Sequence, residues 1–124
     1  MLSTFITNAM VHGANRPFNV AVLVADLDTL KKWAAERGLD TRSIPELLKR
    51  PEVQQLYREQ INEQTRGFKG YEKPQAFLLL GDDFTVANNM LTATMKLRRR
   101  GVLDRYGDAI DALYQEAHDG ALPN

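Results

Sequence analysis

The sequence predicts an α+β domain: a small, mostly three-stranded sheet flanked by helices. Three observations lead there. Apolar runs of strand length stand at 18–25 and 73–81, and stretches with helical apolar spacing stand between and after them, at 27–37, 51–66 and 98–118. Strands interleaved with amphipathic helices bury both kinds of apolar face when helices pack on a sheet. The third observation is size. At 124 residues, with 44% apolar and 26% charged side chains, the chain fits one domain with one sizeable core.

Each element has its own signal. Residues 4–12, TFITNAMVH, mix apolar and polar and suit a short helix or a strand. GANRP at 13–17 reads as a turn, with Gly13 and Asn15 tolerant of unusual backbone angles and Pro17 rigid. FNVAVLVA at 18–25 is a β-branched strand. Asp26 or Asp28 would cap a helix whose apolar positions are Leu27, Leu30, Trp33 and Ala34, and Gly38 would end it. Ser43 with Glu46 is a capping-box pattern, with Pro45 in the first turn, and the short helix there stops at Pro51. Val53, Leu56, Tyr57, Ile61 and Gln64 form a helical stripe that RGFKGY breaks. KPQAFLLLG at 73–81 is a strand whose unbroken apolar run predicts burial on both faces or a central position, and DDFTVANN after it is a turn. Val102, Leu103, Tyr106, Ile110, Leu113, Tyr114 and Ala117 share one face of a last helix that tolerates Gly101 and Gly107, each at about 1 kcal/mol relative to Ala.

Composition excludes much chemistry. Sixteen basic side chains balance sixteen acidic ones, so the chain as a whole makes no electrostatic case for nucleic acid or an anionic membrane. Without cysteine there is no disulfide, thiolate nucleophile or cysteine zinc site, which is compatible with a reducing cytoplasm. The apolar run Val20–Ala25 is far too short to cross a bilayer, and the N-terminal residues do not resemble a signal peptide. His12 and His118, the two histidines, are far apart and read as surface residues rather than a metal site or triad. No GxxxxGK[ST] or GxGxxG loop is present. Asp82 and Asp83 read as a solvated turn before a cation site. RGFKGYEK at 66–73 sets Arg66, Lys69 and Lys73 beside Phe68 and Tyr71. That pattern suits a nucleotide or single strand, but composition favours a loop whose aromatics anchor to the core while the lysines stay in water.

The stretch LTATMKLRRR, 91–100, stands out in a chain of zero net charge. Arg98, Arg99 and Arg100 open the last helix, where the macrodipole disfavours cations by a few tenths of ~1 kcal/mol, so they pair with acids or meet an anion. Lys96 lies just ahead of the helix on what reads as an extended LTATM segment. There it is either a solvated lysine or a compact ammonium aimed at a partner.

The run FKGYEKPQAFLLLGDDFTVANNMLTATMKLRRRGVLDRYGDAIDALY resembles the end of a long-chain fatty-acid–CoA ligase, an acyl-CoA synthetase of the AMP-binding, adenylate-forming superfamily. VHGANRPFNVAVLVADLDTLKKWAAERGL upstream resembles the small C-terminal subdomain of the same enzymes. The resemblance covers nearly the whole chain, and its most specific piece is the LTxTxKxxR core. It implies that residues 1–124 are one domain, the C-terminal subdomain of a larger ligase whose hinge and N-terminal AMP-binding domain lie outside this sequence. It implies that the parent activates a fatty acid with ATP and Mg2+ to an acyl-adenylate and passes the acyl group to CoA. It further implies that Lys96 is the adenylation lysine. Arg98, Arg99, Arg100 and Lys69 become weak candidates for the CoA phosphates, and the isolated chain is expected to be inactive. The implied partners are the chain's own N-terminal domain and these substrates, not nucleic acid. The implied location is cytoplasmic, with the parent at most peripheral at the inner face of the membrane. Asn89 and Ala93 stand where the family pattern favours Gly and Pro. The competing reading is a stand-alone, non-catalytic module that binds an anion, a nucleotide or a protein.

Overall fold

The computed structural model describes residues 3–13 and 16–118, the side chains of Tyr71, Ala117 and His118 excepted. In chain order the elements are β1 (Ile6–His12), β2 (Val20–Ala25), α1 (Leu27–Glu36), α2 (Ile44–Lys49), α3 (Pro51–Gln64), β3 (Ala76–Leu80) and α4 (Arg99–His118), with a 3-10 turn at Gly70–Glu72. The three strands form one mixed sheet in the order β1-β2-β3. β1 runs antiparallel to β2, with Val11 opposite Ala21, and β2 runs parallel to β3, with Val22 opposite Leu78. A parallel pair needs a long crossover, and α1, α2 and α3 supply it.

The alternation of β2 divides the core. Val20, Val22 and Val24 face α4 together with Met10, Ala76 and Leu80, and meet Val102, Ile110 and Tyr114 there. Ala21, Leu23 and Ala25 face the other way, onto Leu30 and Ala34 of α1, Leu47 of α2 and Val53, Tyr57 and Ile61 of α3. Every residue of β2 is buried, so β2 is the central strand. Helices pack on both faces of β3, but β3 lies at the sheet edge rather than in its centre, and Phe77, Leu78 and Leu79 are only half-buried. Its unbroken hydrophobicity comes from being sandwiched between two helical layers.

The helix ends follow local chemistry. Asp26 caps α1 by accepting from the Thr29 amide at 3.1 Å. Gly38, at φ +72°, ends it, with its amide on Ala35 O and the Leu39 amide on Ala34 O, the two bonds of a Schellman motif. Ser43 caps α2 through the Glu46 amide, and Pro51 starts α3 immediately after Arg50 turns extended. Gln64 closes the α3 stripe in sequence but is exposed. Residues 4–12, open to either reading, form a strand with an irregularity between Ile6 and Asn8. The turn at 13–17 is closed by the Arg16 amide on Gly13 O at 3.0 Å, while Asn15 lies outside the described residues, as does the side chain of His118.

Candidate functional site

The segment between β3 and α4 is built in two steps. DDFTVANN folds on itself: Asn88 Oδ1 accepts from the Thr85 and Met90 amides, Thr85 Oγ1 accepts from the Asn88 amide, and Asn88 Nδ2 donates to Asp83 O. Phe84, Met90 and Leu91 are buried against the α4 face of the sheet and root the segment there. Asn89 takes φ +68°, the left-handed conformation that asparagine tolerates better than other side-chain-bearing residues. Its side chain accepts from Arg98 Nη1.

LTATM is not extended, contrary to the sequence reading. Leu91 and Leu97 pair in an antiparallel bridge, and residues 92–96 are folded back between them. The Met95 amide donates to Thr92 O at 2.8 Å, and the Thr92 amide donates to Lys96 O at 2.8 Å. Thr92 Oγ1 accepts from the Lys96 amide at 3.1 Å and lies 3.1 Å from Thr94 Oγ1. Met95 sits at φ +65°. Alternating threonines look like a strand by pattern, but here the Thr92 hydroxyl takes the Lys96 amide within a tight turn.

Lys96 stands at the end of this hairpin. It is exposed and makes no ion pair among the described residues. The three arginines behave differently, each having a protein partner: Arg98 on Asn89, Arg99 Nη1 on Val11 O at 2.6 Å, and Arg100 Nε on Asp104 Oδ1 at 3.5 Å. These contacts offset the unfavourable macrodipole position. Lys69 is not brought to this place. It lies on the connection leaving α3, where its amide donates to Glu72 Oε1 at 2.9 Å. The aromatic beside it, Phe68, is 46% exposed and borders the β1–α3 surface with Ile6 and Ile61.

No enclosed site surrounds Lys96. A groove of about 580 Å³ runs along the outer edge of β3 between Leu48 of α2 and Tyr106 of α4, and no residue of the 91–97 hairpin lines it. Among the described residues no group of three or more His, Asp or Glu could hold a metal ion. Nor is any helix among them long and apolar enough to cross a membrane. The geometry is that of a rooted turn bearing an exposed lysine that has no ion pair among the described residues.

No protein-family profile matches the chain. It is 31% identical over 117 residues to long-chain-fatty-acid–CoA ligase 1 of Homo sapiens, covering 92% of this chain and 17% of the human protein. It is also 31% identical over 117 residues to the peroxisomal long chain acyl-CoA synthetase 6 of Arabidopsis thaliana, covering 90% and 16%. The chain is a relative of the long-chain acyl-CoA synthetases. It spans about a sixth of the length of these synthetases. Solved structures agree on the fold class. The A-PCP didomain of carboxylic acid reductase from Segniliparus rugosus, in complex with AMP, superposes with a TM-score of 0.74 at 25% identity over 94% of this chain and 15% of its own. The adenylation domain of the Mycobacterium chelonae carboxylate reductase gives 0.68 at 27% identity over 91% and 16%.

The two departures from the synthetase pattern now have a geometry. Asn89 occupies a left-handed position, where Gly is the least strained choice and Asn the next. Ala93 follows Thr92 in the turn closed by the Met95 amide, the place where Pro is favoured because its φ is preset. Sequence reasoning missed the role of Thr92, although its spacing of four from Lys96 was visible in LTATMK.

Proposed function

We propose that this chain is the lysine-bearing small domain of a long-chain fatty-acid–CoA ligase and that Lys96 acts in adenylate formation. The supporting observation is the exposed Lys96 on a rooted hairpin in a chain related to such ligases. A cation with no ion-pair partner among the described residues is suited to an anionic site supplied by another domain. During adenylation negative charge shifts among the carboxylate and the phosphoryl oxygens of ATP. A fixed ammonium stabilises that charge more in the transition state than in the ground state. ATP, its Mg2+ and the acyl chain would be held by a larger AMP-binding domain, since no metal-holding group occurs among the described residues here. CoA would take the acyl group in a second step. Of the basic candidates for its phosphates, Arg100 has a side chain 86% exposed and paired with Asp104, and Lys69 stands apart on another surface.

The test is Lys96→Ala in the complete ligase. Fatty-acid-dependent pyrophosphate release is expected to fall by at least ~100-fold, the usual cost of removing one placed charge-stabilising donor. CoA thioester formation from a supplied acyl-adenylate is expected to persist. Near-normal pyrophosphate release, or equal damage to both half-reactions, refutes the assignment and leaves Lys96 a solvated lysine.

A further inference from the structure

A lysine on a turn is useful only if the turn holds one shape. Lys96 has four side-chain torsions of its own, and its neighbour Met95 adopts a backbone conformation, φ +65°, that side-chain-bearing residues seldom choose. Something must keep that conformer. The bridge Leu91–Leu97 fixes the base of the hairpin, since Leu91 is buried and Leu97 packs against the same core. Beyond this base the Thr92 amide donates to Lys96 O and the Met95 amide to Thr92 O. The Lys96 amide itself has no carbonyl acceptor; it is taken by Thr92 Oγ1 at 3.1 Å.

We infer that Thr92 is a positioning residue for Lys96, its hydroxyl and main chain together gripping both the N–H and the C=O of the lysine. The inference rests on the reading of Lys96 given above. Thr92 is partly exposed and Thr94 fully so, so neither is there to fill the core. Thr94 Oγ1, 3.1 Å from Thr92 Oγ1, orients the hydroxyl that receives the lysine amide. Replacing Thr92 by valine keeps the shape and the β-branch but deletes the acceptor. The Lys96 amide then turns to water, the strained Met95 conformer loses a tie, and the ammonium samples more positions.

Two measurements test this. In the 124-residue chain, hydrogen exchange of the Lys96 amide is expected to accelerate roughly five- to tenfold in Thr92→Val, the effect of losing one partly exposed hydrogen bond. Thr92→Ser, which keeps the oxygen, should stay near wild type. Unchanged protection at Val22 in β2 shows that the variant remains folded. In the complete ligase, Thr92→Val should lower the rate of pyrophosphate release about ten- to a hundredfold, because small misplacements of a reacting group carry costs of that order. Thioester formation from supplied acyl-adenylate should be spared, and Thr92→Ser should recover most of the rate. Wild-type exchange at the Lys96 amide in Thr92→Val overturns the inference. So does near-normal adenylation in that variant while Lys96→Ala is impaired, and this outcome leaves the Lys96 reading standing. Equal impairment by valine and serine, or equal loss of both half-reactions, reduces Thr92 to a structural residue. Near-normal adenylation in Lys96→Ala removes the reading and the inference together.

Discussion

Single side chains in this chain show how burial and charge set behaviour. Tyr57 is the clearest. It is fully buried in the α1–α3 layer, and its hydroxyl donates to Phe5 O at 2.7 Å, tying α3 to the segment entering β1. Burial, with the negative charge of Asp26 adding to it, pushes the phenol well above its ordinary value near 10. A raised folded-state value means the group contributes stability that is complete below pH ~10 and is lost as pH rises above it, because the unfolded phenol ionises first. Urea unfolding at pH 9 and pH 11 is therefore expected to show a fall in stability that is smaller in Tyr57→Phe. The variant should also be less stable at pH 9 by ~1–3 kcal/mol, since Phe5 O loses its buried donor. Equal pH dependence in both proteins would show that Tyr57 ionises normally. Lys96 is the opposite kind of residue, exposed and without an ion pair among the described residues, and its interest lies in what another surface brings to it.

At the scale of elements, α4 carries an instructive reversal. Gly101 looks from sequence like a helix flaw costing ~1 kcal/mol relative to Ala. In the fold a Cβ there would lie 1.9 Å from Asn89 O and 2.9 Å from Asn89 C, so the glycine lets the first turn of α4 pack directly on the left-handed turn at Asn89. Gly107 has nothing within 4 Å of such a Cβ. Gly101→Ala is thus expected to destabilise by ~1–3 kcal/mol through forced backbone movement, and Gly107→Ala to stabilise by ~0.5–1 kcal/mol through helix propensity. Denaturation midpoints of the two variants should move in opposite directions; a shared direction would contradict the packing of α4 on residue 89. The same contrast explains what the sequence made legible. Caps at Asp26 and Ser43, the Gly38 stop and the β2 run are local signals, and local chemistry decides them. The edge position of β3 and the folded LTATM hairpin depend on partners far along the chain, and no local period encodes those. A run such as AFLLL reads alike in the centre of a sheet and at an edge covered by helices on both faces.

At the scale of the whole molecule, the division of the core into two layers separates the basic candidates. The α4 layer carries the hairpin of Lys96 and the three partnered arginines, whereas Lys69 lies on the connection from α3. Among the described residues no group of three or more His, Asp or Glu could hold a metal ion, and the groove of about 580 Å³ beside β3 is not lined by Lys96. Adenylation needs ATP, metal and carboxylate held in one geometry, and that positioning provides much of the rate. The purified 124-residue chain is accordingly expected to fold, with amide protection centred on β2, the strand buried along its whole length. It is also expected to release no pyrophosphate when given palmitate, ATP and Mg2+. Adding back a large ATP-binding domain from the same ligase as a separate polypeptide should restore a low rate, and the Lys96→Ala form of the chain should restore less. Fatty-acid-dependent pyrophosphate release by the chain alone would mean that the reacting groups can assemble on this small fold. Lys96 would then serve a site within its own domain rather than one presented to it.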